Sequence, residues 1–113
     1  EQKSDYENAK LIYESISYQQ EFPESFRSFA KFKLALLAKN DPNLVKRILT
    51  ELIEPNNSFR LLALEQKVVV AISEGNWKDA QNNLDLLMKD PSSGPGVKGR
   101  AGQLQKAISF GSL

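Results

Sequence analysis

The sequence predicts an all-α protein, and two observations carry that prediction. Apolar residues recur three and four positions apart along most of the chain, which is the spacing of a helix with one buried face. No stretch sustains the alternation of apolar and polar residues that a half-buried strand needs. With 113 residues, 41% of them hydrophobic, the chain is long enough for a real core, and we expect one domain.

The clearest helical pattern runs from Ser58 to Pro91 and predicts two helices of one hairpin. The first extends from about Phe59 to Glu74, and the second begins at Trp77. Gly75 suits the left-handed position after a helix, and Asn76 suits the cap of the next one. The positions expected to face the core are Leu61, Leu64, Val68 and Ala71, with Leu62 and Val69 on another side, followed by Trp77, Ala80, Leu84, Leu87 and Met88.

Three helices are predicted before this hairpin. Ser4 and Glu7 form a capping box that opens a helix to about Gln20. A second helix spans residues 25–39, and a third follows the cap Asp41 with Pro42 in its first turn. The inward positions are Tyr6, Ala9, Ile12 or Tyr13, and Ile16; then Phe26, Phe29, Ala30, Leu34 and Leu37, widened by Phe32 and Leu36; then Val45, Ile48, Leu49, Leu52 and Ile53.

A last helix is predicted over about residues 97–109, after a loop rich in serine, proline and glycine. Val97, Ala101, Leu104 and Ile108 form its apolar stripe. The predicted organisation is therefore an N-terminal helix (1–22), a first hairpin (24–55), a second hairpin (58–91) and a C-terminal capping helix (96–110).

The two hairpins are internal repeats. The tripeptide Ser25-Phe26-Arg27 recurs as Ser58-Phe59-Arg60, a period of 33. In the second helices Val45, Leu49, Leu52 and Ile53 match Ala80, Leu84, Leu87 and Met88 at a period of 35. A helical hairpin of about 34 residues has the length of a tetratricopeptide repeat. The sequence thus predicts a short right-handed α-solenoid of tetratricopeptide-like hairpins.

The segments 26–38, 59–75 and 87–108 resemble the YfgM-like tetratricopeptide domains of bacterial membrane-anchored proteins. Members of that family show the pattern FRxLAxLxLAxLLxxxG, a second copy of it, and then a Leu-Leu-x-Asp-Pro segment that leads through Pro-Gly to a last helix. The last of the three segments of this chain reads LMKDPSSGPGVKGRAGQLQKAI. The resemblance implies an inner-membrane anchor, a periplasmic domain, and association with the secretion translocon or envelope chaperones; a cytoplasmic location stays open. Because the chain starts with Glu and not Met, we expect a trimmed fragment whose anchor lies upstream.

Composition argues against an enzyme, a cofactor and nucleic acid. The chain has no Cys and no His, which removes thiol nucleophiles, imidazole bases and the usual zinc ligands. The acidic pair Glu51 and Glu54 is interpreted as solvated helix surface. A net charge of +1 gives no field that would recruit nucleic acid. Lys98 and Arg100 are two residues apart and not one turn apart, which speaks against a carboxylate clamp for chaperone tails.

The function expected from this architecture is protein or peptide binding, without a cofactor, on a concave surface formed by the first helices of the hairpins. The residues predicted to line it are Phe29, Phe32, Leu36 and Lys39 from one hairpin and Leu62, Glu65, Val69 and Ile72 from the other. Three alternatives remain: the N-terminal helix fills this groove; the acidic N-terminal helix pairs two copies into a homodimer; or the chain is a small helical enzyme.

Overall fold

The computed structural model describes residues 2–113, and their side chains from residue 6 onward. Six α-helices and no strand make up the secondary structure of these residues, which confirms the all-α prediction. The helices are α1 (Gln2–Ser17), α2 (Glu24–Leu37), α3 (Pro42–Leu52), α4 (Arg60–Ser73), α5 (Trp77–Lys89) and α6 (Pro95–Gly111). None of them is long and apolar enough to cross a membrane.

The helix ends differ from the predicted ones by a few residues. α1 stops at Ser17, before the predicted end at Gln20. It already begins at Gln2, so Ser4 lies inside the helix and the predicted cap at Ser4 is wrong. α6 starts at Pro95, two residues before the predicted Val97. Proline is tolerated there because the first turn of a helix needs no N–H donor from it. The serine-, proline- and glycine-rich segment after Pro91 therefore contains both a loop and the first residues of α6.

The chain divides into two compact units, the first ending at Arg60 and the second starting at Leu61. In the first unit α2 packs against both α1 and α3. The first unit's apolar core is formed by Ala30, Leu34, Ala35, Ala38, Val45, Ile48, Leu49 and Leu52. Ser17 is buried with them, and its hydroxyl donates to the Tyr13 carbonyl (2.6 Å), so burial leaves this hydroxyl with a partner.

The turn between α2 and α3 is built as predicted. The Asp41 carboxylate accepts a hydrogen bond from the Leu44 amide (3.2 Å), and Pro42 occupies the first turn of α3. The aspartate satisfies one of the amides that a helix start leaves without a partner.

In the second unit α5 packs against α6. Gln81 and Gln105 exchange two amide hydrogen bonds across that contact (2.9 and 2.8 Å). The buried apolar residues are Ala63, Leu64, Val68 and Ala71 from α4, Ala80, Leu84 and Leu87 from α5, and Ala101 and Ile108 from α6. All of these positions except Ala63 were predicted to face the core, whereas Leu61, Val97 and Leu104, which were also predicted there, are half-buried.

The turn from α4 to α5 is also as predicted. Gly75 has a φ of +70°, and the amides of Gly75 and Asn76 donate to the carbonyls of Ile72 (3.0 Å) and Ala71 (2.9 Å). This pair of bonds is the Schellman arrangement, which places a left-handed residue just after the helix. The Asn76 side chain then accepts from the Asp79 amide (3.3 Å) and caps α5.

Some residues predicted to be buried are exposed. Met88 keeps 45% of its surface accessible, because Leu84 and Leu87 already occupy the inward line of α5 and the next residue lies about 100° round the helix. Ile12, Phe26 and Phe29 are 58%, 57% and 44% accessible, so the first unit presents apolar side chains to solvent. Trp77 is half-buried at the start of α5 and does not belong to the core.

The repeated Ser-Phe-Arg tripeptide does not occupy equivalent helix positions. Ser25 lies inside α2, whereas α4 begins only at Arg60. The arginines nevertheless play one role in both copies, because each donates to a backbone carbonyl upstream of its helix. Arg27 Nε bonds the Phe22 carbonyl (3.0 Å), and the Arg60 guanidinium bonds the Ile53 carbonyl.

Candidate functional site

The predicted binding residues of the first unit lie along α2 and just beyond it. Phe29 and Phe32 both contact the Phe59 ring, with ring centroids 6.0 and 5.6 Å apart. Phe29 remains open to solvent and Phe32 is half-buried. Leu36 is half-buried as well, and Lys39 is exposed. The structure therefore brings Phe29 and Phe32 together around an aromatic residue that the sequence analysis did not assign to the surface.

The predicted residues of the second unit lie on α4. Leu62 and Val69 are 40% and 41% accessible, and Ile72 is half-buried. Glu65 lies between Leu62 and Val69 in the sequence and forms an ion pair with Arg100 of α6. Arg100 Nε donates to both carboxylate oxygens of Glu65 (3.1 and 2.9 Å). This hydrogen bond, with the charge of Glu65, raises the pKa of Arg100. Glu65 thus joins α4 to α6, which its sequence position 35 residues earlier did not reveal.

An apolar hollow of about 300 Å³ lies between α1 and α2. Its walls are formed by Tyr13, Ile16, Phe26, Phe29 and Ala30. All five were predicted at inward positions of their helices, Tyr13 as an alternative to Ile12, and Phe29 was also predicted to line the binding surface. The excess of phenylalanine on α2 was the available signal, because one apolar stripe does not need that many aromatic residues.

Two aromatic contacts hold the walls of this hollow. Phe26 stacks on Phe22, with ring centroids 6.1 Å apart and planes inclined by 18°. Phe29 is packed against Phe59. Aromatic pairs at these distances contribute beyond the area that they bury, so each of the two rings is held by a neighbour.

The lysines of α2 are in different electrostatic environments. Lys31 Nζ lies 3.1 Å from Glu51 Oε1 and 5.2 Å from the centre of the Tyr18 ring, so it links α2 to α3 and to the residue after α1. Lys33 Nζ lies 5.6 Å from the centre of the Phe29 ring, a cation–π contact at the edge of the hollow. Within the part of the chain that the structure describes, Lys33 has no carboxylate partner.

A polar network ties the start of α2 to the loop before α4. The Glu24 carboxylate accepts hydrogen bonds from the hydroxyls of Ser28 (2.5 Å) and Ser58 (2.8 Å). Asn57 donates to the buried Ser28 hydroxyl (3.1 Å), and its oxygen accepts from the Phe59 amide (2.9 Å). These bonds to the carboxylate, Ser28 first and Ser58 next, lower the pKa of Glu24. The network positions Phe59 and, through it, the aromatic residues of α2.

Two carboxylates of the described residues are held in ion pairs. Glu51 pairs with Lys31, and Glu65 pairs with Arg100. Among the described residues no group of three or more acidic side chains could hold a metal ion. Comparison of the chain with protein families, curated proteins and solved structures found no match. The resemblance to YfgM-like domains therefore stays a prediction from the residues that carry it.

Proposed function

We propose that this chain is a non-catalytic protein-binding module. The supporting observation is the exposure of apolar side chains that share a helix face. Phe26 and Phe29 lie three residues apart on α2, and Leu62 and Val69 lie seven apart on α4. Single exposed apolar residues are ordinary on protein surfaces, but residues at helical spacing share a face that a partner can cover. Phe26 and Phe29 are direct neighbours on that spacing, whereas Glu65 and Gln66 lie between Leu62 and Val69.

The proposed binding residues lie in both units. The first unit contributes Phe29, Phe32, Leu36 and Lys39, and the second contributes Leu62, Val69 and Ile72. Lys39 remains available to a partner because it is exposed. Glu65 has a structural role instead, since Arg100 holds its carboxylate. The right-handed solenoid arrangement of the hairpins is part of the proposal and is supported by the repeat periods and by the two capped turns at Asp41 and Gly75.

The resemblance to YfgM-like domains supports a more specific version of the proposal. In that version the chain is the soluble domain of a membrane-anchored protein of the bacterial envelope, a scaffold or accessory that binds the translocon or an envelope chaperone. The quoted repeat segments and the Pro-Gly segment at the start of α6 are its support. The tetratricopeptide-like hairpins would supply the peptide-binding surface.

A self-associating module is the second candidate, because α1 and the residue that follows it carry further exposed apolar side chains. Leu11 is 63% accessible, and Tyr18, which follows the end of α1 at Ser17, is 53% accessible. Sedimentation of the purified chain distinguishes the two functions. A monomer supports binding of a different protein, and a dimer that Leu11→Ser dissociates supports self-association.

Affinity capture with matched variants tests the protein-binding function. Phe29→Ser and Val69→Ser each remove an exposed apolar side chain from the proposed surface, and Leu86→Ser removes one of similar exposure from α5. We expect a partner that binds the wild type and the Leu86 variant and is lost from at least one of the other two. Equal recovery with all three folded variants would contradict the proposal.

A further inference from the structure

We propose that the hollow between α1 and α2 receives the apolar anchor of an acidic amphipathic helix from a partner protein, and that Lys33 binds a carboxylate next to that anchor. This inference rests on the proposed protein-binding function and names one site and the chemistry of the segment that it takes.

The size and the lining of the hollow define the anchor. Its volume of about 300 Å³ is at the small end of the range of about 300–1,000 Å³ that ligand pockets span. It therefore accommodates one or two side chains and not a large cofactor. The surface inside it is entirely apolar, so a polar group entering it would lose its water without gaining a hydrogen bond. The anchor is accordingly leucine, isoleucine, methionine or phenylalanine.

The two phenylalanine rings in the walls already have packing partners within the chain. Phe26 is stacked on Phe22, and Phe29 is packed against Phe59. The Glu24 network in turn fixes the loop that carries Phe59, because Asn57 bonds both Ser28 and the Phe59 amide. A site whose rings are already held in place loses less side-chain freedom on binding than a mobile surface does.

The shape of the apolar surface favours a helix as the bound segment. Ile12 lies one turn before Ile16 on the same side of α1 and is 58% accessible, so the apolar surface continues along α1 beyond the hollow. An elongated apolar floor between two helices fits the apolar face of a third helix, which presents side chains three, four and seven residues apart.

The positive charge at the edge of the hollow indicates that the bound segment carries a negative charge there. The Lys33 ammonium makes a cation–π contact with Phe29, one of the wall residues, and makes no ion pair among the described residues. Its neighbour Lys31, by contrast, is already paired with Glu51. The described residues that line the hollow include no carboxylate. An acidic side chain one turn from the anchor would meet the Lys33 ammonium, which contributes orientation and selectivity more than total affinity.

The test is a fluorescence-anisotropy titration of the full chain with two designed helical peptides. One carries leucines three and four residues apart with glutamates one turn away, and the second has lysines in place of the glutamates. We expect saturable binding of the glutamate peptide, preferred by about threefold to tenfold over the lysine peptide, as an ion pair at the half-buried Lys33 allows. The preference should shrink as salt is added.

Matched variants assign that binding to the hollow. Lys33→Glu should reverse the preference between the peptides, Lys33→Met should abolish it, and Lys78→Glu on α5 should leave it unchanged. Phe26→Ser should weaken binding of both peptides, whereas Leu86→Ser should not. All variants are compared at equal helicity by circular dichroism. Absence of saturable binding to the folded wild type, or a preference that Lys33→Glu does not alter, overturns the inference.

Affinity capture with the wild type and the Val69→Ser variant, which changes the second unit, separates failure of this inference from failure of the proposed function. If the peptides do not bind at the hollow but a partner still depends on Val69, the inference fails and the protein-binding function stands. If neither is observed, both fail.

Discussion

The Trp77 indole lies directly against the backbone of Gly111. A Cβ at residue 111 would overlap Trp77 Cη2 and would fall 2.6 Å from Cζ3, far closer than carbon atoms can approach. The last turn of α6 therefore accommodates the indole only because residue 111 has no side chain. This contact connects the start of α5 to the end of α6, and it explains how a half-buried tryptophan contributes to the second unit.

Gly111→Ala should destabilise the protein, although alanine is the better helix former. The new methyl group would push the indole from its position, a form of overpacking that costs about 1–3 kcal/mol. Gly102→Ala in the same helix is the control, since nothing lies within 4 Å of a Cβ there. It should be neutral or stabilising by up to about 1 kcal/mol. Urea denaturation of both variants measures the difference, and equal stability would contradict the contact.

Gly75→Val should destabilise more than Gly94→Val. Neither position has an atom within 4 Å of where a Cβ would lie, so crowding at the Cβ does not distinguish them. Gly75 has a φ of +70°, where a side chain costs roughly 1–2 kcal/mol, whereas Gly94 has extended backbone at φ −90°. Chemical denaturation should show a gap of at least about 1 kcal/mol between the two variants. A larger loss at Gly94 would count against the Schellman turn.

Glu24→Gln should lower stability at neutral pH and have little effect in acid. The folded protein lowers the pKa of Glu24 below its usual value of 4.5, because Ser28 and Ser58 donate to the carboxylate. The stabilisation is thus complete above the unfolded-state pKa and is lost as pH falls through the lower folded-state pKa. Solvent screens this exposed carboxylate, so we expect no more than about 1 kcal/mol at pH 7.

The control for Glu24 is Glu21→Gln, which changes an exposed carboxylate outside the network. Unfolding free energies of the wild type and both variants are measured from about pH 7 down to about pH 3. The gap between wild type and Glu24→Gln should close over the acidic end of that range. A gap of constant size, or one shared by the Glu21 variant, would show that the network does not act through this carboxylate.

Charge reversal should affect Glu65 and Lys39 differently. The Glu65 side chain is only 16% accessible and holds Arg100, so Glu65→Lys should lower the melting temperature. Lys39→Glu should leave it nearly unchanged because Lys39 is exposed and takes no part in that pair. Adding Arg100→Glu to the Glu65 variant should restore part of the loss. Failure of this exchange to rescue the fold would indicate that Glu65 acts through packing and not through its charge.

The helices and their turns could be predicted from the sequence because they depend on local chemistry. Caps such as Asp41 and Asn76, and the glycine at position 75, act within a few residues of where they stand. The buried stripe of α5 followed equally from helical spacing. The predicted inward positions of Phe26, Phe29 and Met88 were wrong, since spacing ranks the faces of a helix but does not say which neighbour covers them. Of the two alternatives Ile12 and Tyr13, Tyr13 is the half-buried one.

The candidate site was harder to predict because its contacts join distant residues. Phe59 reaches Phe29 and Phe32 from about thirty positions away, and Arg100 reaches Glu65 from 35. Neither the hollow nor the Lys33 at its edge has a short sequence motif. The aromatic excess on α2 was visible in the sequence. It favoured a face covered by the N-terminal helix, with an open binding groove as the alternative.

Site-specific photo-crosslinking in the cells that produce the protein tests the protein-binding function most directly. A photoreactive phenylalanine is placed at Phe29, at Val69 or, as a control, at the exposed Asn82 of α5. We expect discrete adducts of one heterologous protein from Phe29 or Val69 and none from Asn82. Adducts that contain only a second copy of this chain, the same pattern from all three positions, or no adduct at all would contradict the proposed function.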